Sequence, residues 1–227
     1  MLDLMKQLVI YGTGYLDVIK LIDAINRICP TYKIAGFIND LPEFQGKSFM
    51  DYPVLGAKDV IPKLVREGNH CFFNNITSTL ENRKSIAATL EKNDCEIVSL
   101  VHPSVDMSYV QIGEGCIIPD GCAVGSNTKI GRYLTCRLHS VISHNVTIKD
   151  FAYIGPGATV SGGSVLEEGC FIGAGATIMH GVVIGAGAII GAGSTVISDI
   201  PGRVVAYGVP AKVVKEDIGE DYRGRGM

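Results

Sequence analysis

The chain has 227 residues, of which 47% are hydrophobic and 19% are charged, and its net charge is −3. The length allows one large domain or two small ones, and the slightly acidic balance argues against nucleic-acid binding, which needs a basic face. Seven cysteines without paired spacing indicate reduced thiols, and the sequence shows no secretory signal, so we expect a cytoplasmic protein.

The first hundred residues alternate between strand-like and helix-like segments. Such alternation predicts an α/β domain with a parallel, Rossmann-like sheet, which we place at residues 1–101. The predicted strands are residues 7–12, 33–40 (KIAGFIND), 52–56 (YPVLG), 70–76 (HCFFNNI) and 95–103 (CEIVSLVHP), and the predicted helices are a stretch ending near Cys29, 57–67 and 79–92.

A glycine turn follows the first predicted strand and opens the first predicted helix. Gly12, Thr13 and Gly14 would let the backbone approach a phosphate at the positive end of that helix. Asn39 and Asp40 end the second strand, where polar groups suit a ribose or a base. The third glycine of the dinucleotide fingerprint is missing, which favours a mononucleotide or nucleotide sugar over NAD. The alternative is a tight turn without a ligand.

The second half carries a six-residue repeat. From Ile112 to Val196 an apolar residue recurs at every sixth position, fifteen times in all, and fourteen of these residues are aliphatic. A series of mostly small residues precedes it by two positions. One short strand per hexad and three hexads per turn predict five triangular coils, stacked at about 4.8 Å, in a parallel β-helix. We assign residues 102–227 to this domain and its C-terminal tail.

Six motifs together resemble one known family: LVIYGTG, FIND, VHPSV, SVISHNVTI, AYIGPGATVSGG and AYGVPAKVVK. The chain resembles the sialic-acid-type sugar O-acyltransferase family, and within it the members that N-acetylate nucleotide-linked 4-amino-4,6-dideoxy sugars for surface glycans. The resemblance implies a left-handed β-helix and a homotrimer. It also implies that acetyl-CoA lies between neighbouring coils, that the N-terminal domain holds the sugar nucleotide, and that no metal is needed.

The resemblance also implies roles for individual residues. His144 would be the general base that takes a proton from the attacking amine, and Asn145 stands where several members carry an acidic residue. Gly162 follows His144 by 18 residues, on the same predicted corner, where its missing side chain would leave room for a thioester. His180, two coils on, is expected to be solvated or at a subunit interface. The remaining candidate coenzyme contacts are Tyr153, Ala174, Ala192 and Lys212.

Three alternatives stay open. A sugar O-acetyltransferase would use the same histidine on a hydroxyl group. A γ-type carbonic anhydrase would use His139 and His144 as zinc ligands, but the third histidine that such a site needs is out of register. A trimeric scaffold that binds sugar nucleotides without catalysis would need no base at all.

Overall fold

The computed structural model describes residues 5–68 and 70–216, so the predicted C-terminal tail beyond residue 216 lies outside the described residues. The chain forms two compact units that divide between Ser99 and Leu100. No helix in the described ranges is both long enough and apolar enough to span a membrane.

The first unit is built on a six-stranded sheet with the order β3-β4-β2-β1-β5-β6. Its central strand β1 is an apolar run that is parallel to both neighbours, and residues 8–11 are buried because helices cover a sheet of this kind. The edge strand β3 is antiparallel to β4, which the sequence did not predict. The strands are β1 (Lys6–Tyr11), β2 (Tyr32–Ile38), β3 (Ser48–Phe49), β4 (Tyr52–Gly56), β5 (His70–Asn74) and β6 (Glu96–Ile97).

Three α-helices connect these strands: α1 (Val18–Ile28), α2 (Ile61–Glu67) and α3 (Leu80–Lys92). Helix α1 is amphipathic and buries Leu21 and Ile22. Helix α3 begins after Thr79, whose side chain accepts a hydrogen bond from the backbone N–H of Asn82 at 3.1 Å. This cap satisfies one of the N–H groups that the first turn of a helix leaves unpaired.

The predicted strand at residues 95–103 is two strands. β6 ends at Ile97, and Val98 N–H closes the first sheet by donating to Phe72 O at 3.0 Å. Leu100 N–H donates instead to Cys116 O at 2.8 Å, so β7 (Leu100–Val101) belongs to the second unit. The continuous apolar pattern hides this break because both halves are equally suited to a buried strand.

The second unit confirms the hexapeptide repeat. Fifteen two-residue strands each end at one of the predicted inward positions, and the first twelve each pair in parallel with the strand three further along the chain. Three sheets with five of these strands each make five coils. The strands β8–β22 are 111–112, 117–118, 123–124, 129–130, 135–136, 141–142, 147–148, 153–154, 159–160, 165–166, 171–172, 177–178, 183–184, 189–190 and 195–196.

The core of the second unit consists of the two inward series. The aliphatic positions are buried from Ile130 onward, whereas Ile112 in the first coil is 36% exposed because no coil covers it. Cys116, Cys122 and Cys170 belong to the small inward series and are buried in this core. An antiparallel hairpin of β23 (Val205–Gly208) and β24 (Ala211–Lys215) ends the described part of this unit, and the sequence did not predict it.

Candidate active site

His144 lies on a corner of the β-helix, two residues after the buried Ile142, and its side chain is exposed. Its carbonyl accepts a hydrogen bond from Gly163 N–H at 3.1 Å, which fixes its backbone to the next coil. A Cβ atom added to Gly162 would lie 2.9 Å from Cε1 and 3.1 Å from Nε2 of His144. The absent side chain of Gly162 therefore leaves room for the edge of the imidazole ring.

Two asparagine side chains form a chain of polar contacts with the imidazole ring. They occupy the same position in successive coils, next to the corner position of His144. Nδ2 of Asn145 lies 2.9 Å from Nδ1 of His144, and Nδ2 of Asn127 lies 2.6 Å from Oδ1 of Asn145. The residue that follows His144 in the chain therefore contacts its imidazole ring. Asn127 was not predicted, although it precedes Asn145 by 18 residues, which is one full coil.

The predicted coenzyme contacts lie elsewhere on the second unit. Tyr153 is half-buried and stacks on Phe171, with ring centroids 4.5 Å apart. Ala174 and Ala192 are exposed on one corner, and their backbone N–H groups donate to no acceptor within the described chain, so a ligand or water can bind them. Lys212 is exposed on β24, where it pairs with Tyr207. These positions remain predictions.

The other exposed histidines of the coils have different surroundings. The ring of His139 lies against Gly121, where an added Cβ would be 2.2 Å from Nδ1, so it packs on the preceding coil. The ring of His180 approaches Gly163, with Cε1 3.4 Å from the position of an added Cβ. Across residues 5–68 and 70–216, no group of three His, Cys, Asp or Glu side chains could hold a metal ion.

The first unit contains a cavity of about 430 Å³ at the carboxyl ends of its strands. All five predicted nucleotide contacts line it: Gly12, Thr13, Gly14, Asn39 and Asp40. At Gly12 the φ angle is +94°, and an added Cβ would lie 2.6 Å from Cδ1 of Ile76. Glycine is favoured here because other residues are strained at this φ, and an added Cβ would also displace the end of the Ile76 side chain.

Asn39 and Asp40 are already held by the protein. Asn39 Nδ2 donates to Thr13 Oγ1 at 3.1 Å, and Asn39 Oδ1 accepts from Leu41 N–H at 2.9 Å. The Asp40 carboxylate accepts from the Tyr11 hydroxyl at 2.5 Å and from Lys58 N–H at 2.9 Å. Burial and the contact with Asp40 raise the pKa of Tyr11, so this hydroxyl stays a donor. The carboxylate keeps further lone pairs for a ligand hydroxyl.

Sequence reasoning missed the third wall of the cavity. Asn75 is buried, and its Nδ2 donates to the carbonyls of Gly12 and Tyr15, both at 3.1 Å, which fixes the glycine turn. The signal was present, because residues 75–79 (NITST) directly follow β5 and the carboxyl ends of parallel strands meet at one edge. Asn75 supports the wall from behind, and the missed residues that line the cavity include Thr77, Ser78, Asn82, Ser85 and Thr89.

Comparisons with known proteins identify a family to which the chain is similar. The bacterial transferase hexapeptide model (six repeats) matches residues 163–198. A GDP-perosamine N-acetyltransferase from Escherichia coli O157:H7 is 33% identical over 160 residues, which cover 69% of this chain and 68% of that protein.

Solved structures agree with the fold. PerB from Caulobacter crescentus, in complex with CoA and GDP-perosamine, is 28% identical with a TM-score of 0.79, covering 92% of this chain and 97% of that one. A histidine-to-alanine mutant of the GDP-perosamine N-acetyltransferase of that organism, with the same ligands, gives a TM-score of 0.83 at 27% identity and the same coverage. The acetyltransferase domain of PglB from Neisseria gonorrhoeae FA1090 has a TM-score of 0.82 at 23% identity over 92% of this chain and all of that one. At that identity the last likeness shows the fold alone.

Proposed function

The chain belongs to the bacterial hexapeptide transferase family, in the branch of the nucleotide-amino-sugar N-acetyltransferases, and we propose that it acetylates the amino group of a nucleotide-linked 4-amino-4,6-dideoxy sugar. Acetyl-CoA is the acetyl donor. The observation that carries the proposed mechanism is the exposed imidazole of His144, which is held through Nδ1 by a neighbouring amide. The left-handed β-helix and the Rossmann-like first unit are part of this proposal.

The reaction requires only a general base and a hydrogen-bond donor from the protein. The amine that attacks a thioester carbonyl must lose a proton, and a neutral imidazole can accept it near neutral pH. His144 is the base in this proposal, and acetyl-CoA supplies an acyl group that is already activated. The backbone N–H of Gly162, which donates to no acceptor among the described residues, lies beside the ring and can stabilise developing negative charge on oxygen.

The first unit supplies the binding energy for the acceptor. Its cavity combines a glycine turn with polar groups from the ends of three neighbouring strands, as a phosphate and a ribose require. We assign the nucleotide to Gly12, Thr13, Gly14, Asn39 and Asp40. A nucleotide-binding unit of this kind favours a nucleotide-linked acceptor over a free sugar.

The assembly and the location are also proposed. A homotrimer would complete the coenzyme groove from two chains, with Tyr153, Gly162, Ala174, Ala192 and Lys212 on its walls. Light scattering of the purified protein measures this directly, and a monomer with full activity would contradict it. The proposal also places the enzyme in the cytoplasm.

The test is release of free CoA from acetyl-CoA with a panel of GDP-, UDP- and dTDP-linked 4-amino sugars, beginning with GDP-perosamine. We expect turnover with at least one of them and a loss in kcat of roughly 10²- to 10⁴-fold in His144→Ala. The matched control is His139→Asn, because His139 is also exposed, its φ is +60°, and asparagine tolerates that conformation. Its activity should match that of the wild type.

The same assay separates the alternatives. Turnover of a sugar hydroxyl without turnover of any amine would replace the proposal by O-acetylation of the sialic-acid type. Zinc-dependent CO₂ hydration would support the carbonic anhydrase. Silence across the panel, with tight nucleotide-sugar binding that His144→Ala leaves unchanged, would identify a scaffold.

A further inference from the structure

We infer that Asn127 is a positioning residue that acts through Asn145 and decides which imidazole nitrogen of His144 carries the proton. The inference rests on the function proposed above and assigns a role to a residue one full coil away from the histidine. It concerns the direction of the hydrogen bonds in the chain Asn127–Asn145–His144, which we call the amide relay.

The geometry of the amide relay is that of a continuous chain. The two links measure 2.6 Å between the asparagine side chains and 2.9 Å between Asn145 and Nδ1 of His144. Asn127 and Asn145 occupy the same position in successive coils, each with a φ of +59°. Their backbones are tied together as well, because Asn145 N–H donates to Ser126 O at 3.1 Å.

The same heavy-atom positions fit two directions of donation, because the nitrogen and oxygen of an amide occupy nearly equivalent places. In the first direction, Asn127 donates to Asn145, and Asn145 donates to Nδ1 of His144. In the second direction both amides are turned over, so Nδ1–H donates to Oδ1 of Asn145 and Asn145 Nδ2 donates to Oδ1 of Asn127. The two asparagines turn together because each link needs one donor and one acceptor.

Only the second direction lets His144 work as a base at Nε2. When Nδ1 accepts a hydrogen bond, the neutral ring carries its proton on Nε2, which then has no lone pair for the amine proton. When Nδ1–H donates, the lone pair of Nε2 is available. The protonated ring that forms next has N–H groups on both nitrogens, so it also needs Asn145 to present its oxygen. The second direction therefore stabilises both states that the reaction uses.

Asn127 biases this choice without touching the ring. If its Oδ1 accepts from Asn145, then the Asn145 oxygen must face the histidine. A purely structural role is the competing explanation, since asparagine is one of the few residues that readily adopt a positive φ. That explanation predicts that Gly or Asp at residue 127 would serve equally well, whereas the amide relay predicts opposite results for these two substitutions.

Asn127→Asp and Asn127→Gly therefore make the decisive pair. A carboxylate only accepts, so Asp would hold the relay in the second direction, and kcat should equal or exceed that of the wild type. Gly removes the partner of Asn145 and relaxes the backbone, and kcat should fall by roughly tenfold, within the usual range for general base catalysis. Tyr109→Gly is the matched control, since Tyr109 occupies the same column one coil earlier with a φ of +62°. It should leave kcat unchanged.

A spectroscopic readout reports the proton directly. The ¹⁵N chemical shifts of the His144 ring distinguish Nδ1–H from Nε2–H, and we expect Nδ1–H in the wild type and Asn127→Asp. Asn127→Gly should shift the population towards Nε2–H. In a background of Asn145→Asp, whose carboxylate only accepts, Asn127→Gly should lose its effect on both kcat and the spectrum. That loss of coupling would support the amide relay over a general loss of stability.

The two ideas fail in different ways. Identical ring shifts in the wild type, Asn127→Asp and Asn127→Gly would overturn the amide relay, as would Nε2–H as the main form of an active wild type. Absence of CoA release with every amino sugar would count against the proposed function, and the ring shifts would still show which nitrogen of His144 carries the proton in each Asn127 variant. Equal kcat for the Gly and Asp variants would also overturn the amide relay in favour of the structural role.

Discussion

Gly162→Ala tests whether the absent side chain at residue 162 makes room for the imidazole. The added Cβ would lie 2.9 Å from Cε1 of His144, whereas carbon atoms in favourable contact are about 3.5–4.0 Å apart. The ring must therefore move by about 0.6 Å or more, and its hydrogen bond to Asn145 must lengthen or break. The backbone can give little, because the same Cβ would lie 3.1 Å from His144 O, which is bonded to Gly163 N–H.

The size of the effect follows from the sensitivity of catalysis to geometry. A misplacement of about 1 Å can cost about 10²-fold in rate, so a shift of about 0.6 Å predicts a loss in kcat of roughly tenfold to hundredfold. This corresponds to about 1.4–2.7 kcal/mol in activation free energy. Overpacking of the corner should also lower the free energy of unfolding by about 1–3 kcal/mol.

The assay measures kcat and both KM values at saturating cosubstrate, together with the melting temperature. Gly181→Ala is the stability control, because its φ is +72° and no atom lies within 4 Å of the added Cβ, so it introduces backbone strain without a contact. It should destabilise the protein and keep kcat. If Gly162→Ala raises only KM for acetyl-CoA, the space serves the thioester instead. Equal kcat values for the two variants would refute the reasoning.

Two further predictions concern the first unit. Asn75→Ala removes the hydrogen bonds that Asn75 donates to the carbonyls of Gly12 and Tyr15, so it should lower the free energy of unfolding by about 1–3 kcal/mol. It should also raise KM for the nucleotide sugar but not KM for acetyl-CoA. An unchanged KM for the nucleotide sugar would contradict this prediction. Burial raises the pKa of the Cys71 thiol from 9.0 to about 12. Because the thiol ionises more readily in the unfolded chain, the stability that the buried neutral thiol contributes is complete below pH 9 and is lost as the pH rises towards 12. Urea unfolding at several pH values should show a weaker alkaline loss in Cys71→Ala than in Cys29→Ala, which changes an exposed cysteine; equal slopes would show that Cys71 is not responsible.

The β-helix was predictable because its pattern is local and repeated. Each hexad places one large and one small side chain inward, so fifteen strands could be located residue by residue. The end of the first sheet was not predictable in the same way. Val98 and Leu100 are both apolar and both buried, and only their backbone hydrogen bonds, to Phe72 and Cys116, show that they belong to different sheets.

The candidate sites were predictable in part, for a related reason. The glycine turn and the polar end of the second strand carry recognisable residue types, and the cavity brings them together. Asn75 is a single buried amide whose partners are two backbone carbonyls far away in the sequence, so no local pattern marks it. Asn127 is a different case, since counting back one coil of 18 residues from Asn145 finds it directly.

The coil spacing also explains why we propose His144, and not His180, as the base. His180 occupies the same corner as His144, but the residue after it is Gly181, which has no amide side chain to hold Nδ1. The residue one coil beyond it is Ser198, so it lacks the glycine that receives the ring of His144. In a β-helix a side chain is positioned by residues 18 before and 18 after it as much as by its neighbours in the chain. In the mechanism that we propose, two other coils prepare His144 as the base, because Asn127 sets the direction of its proton and Gly162 leaves room for its ring.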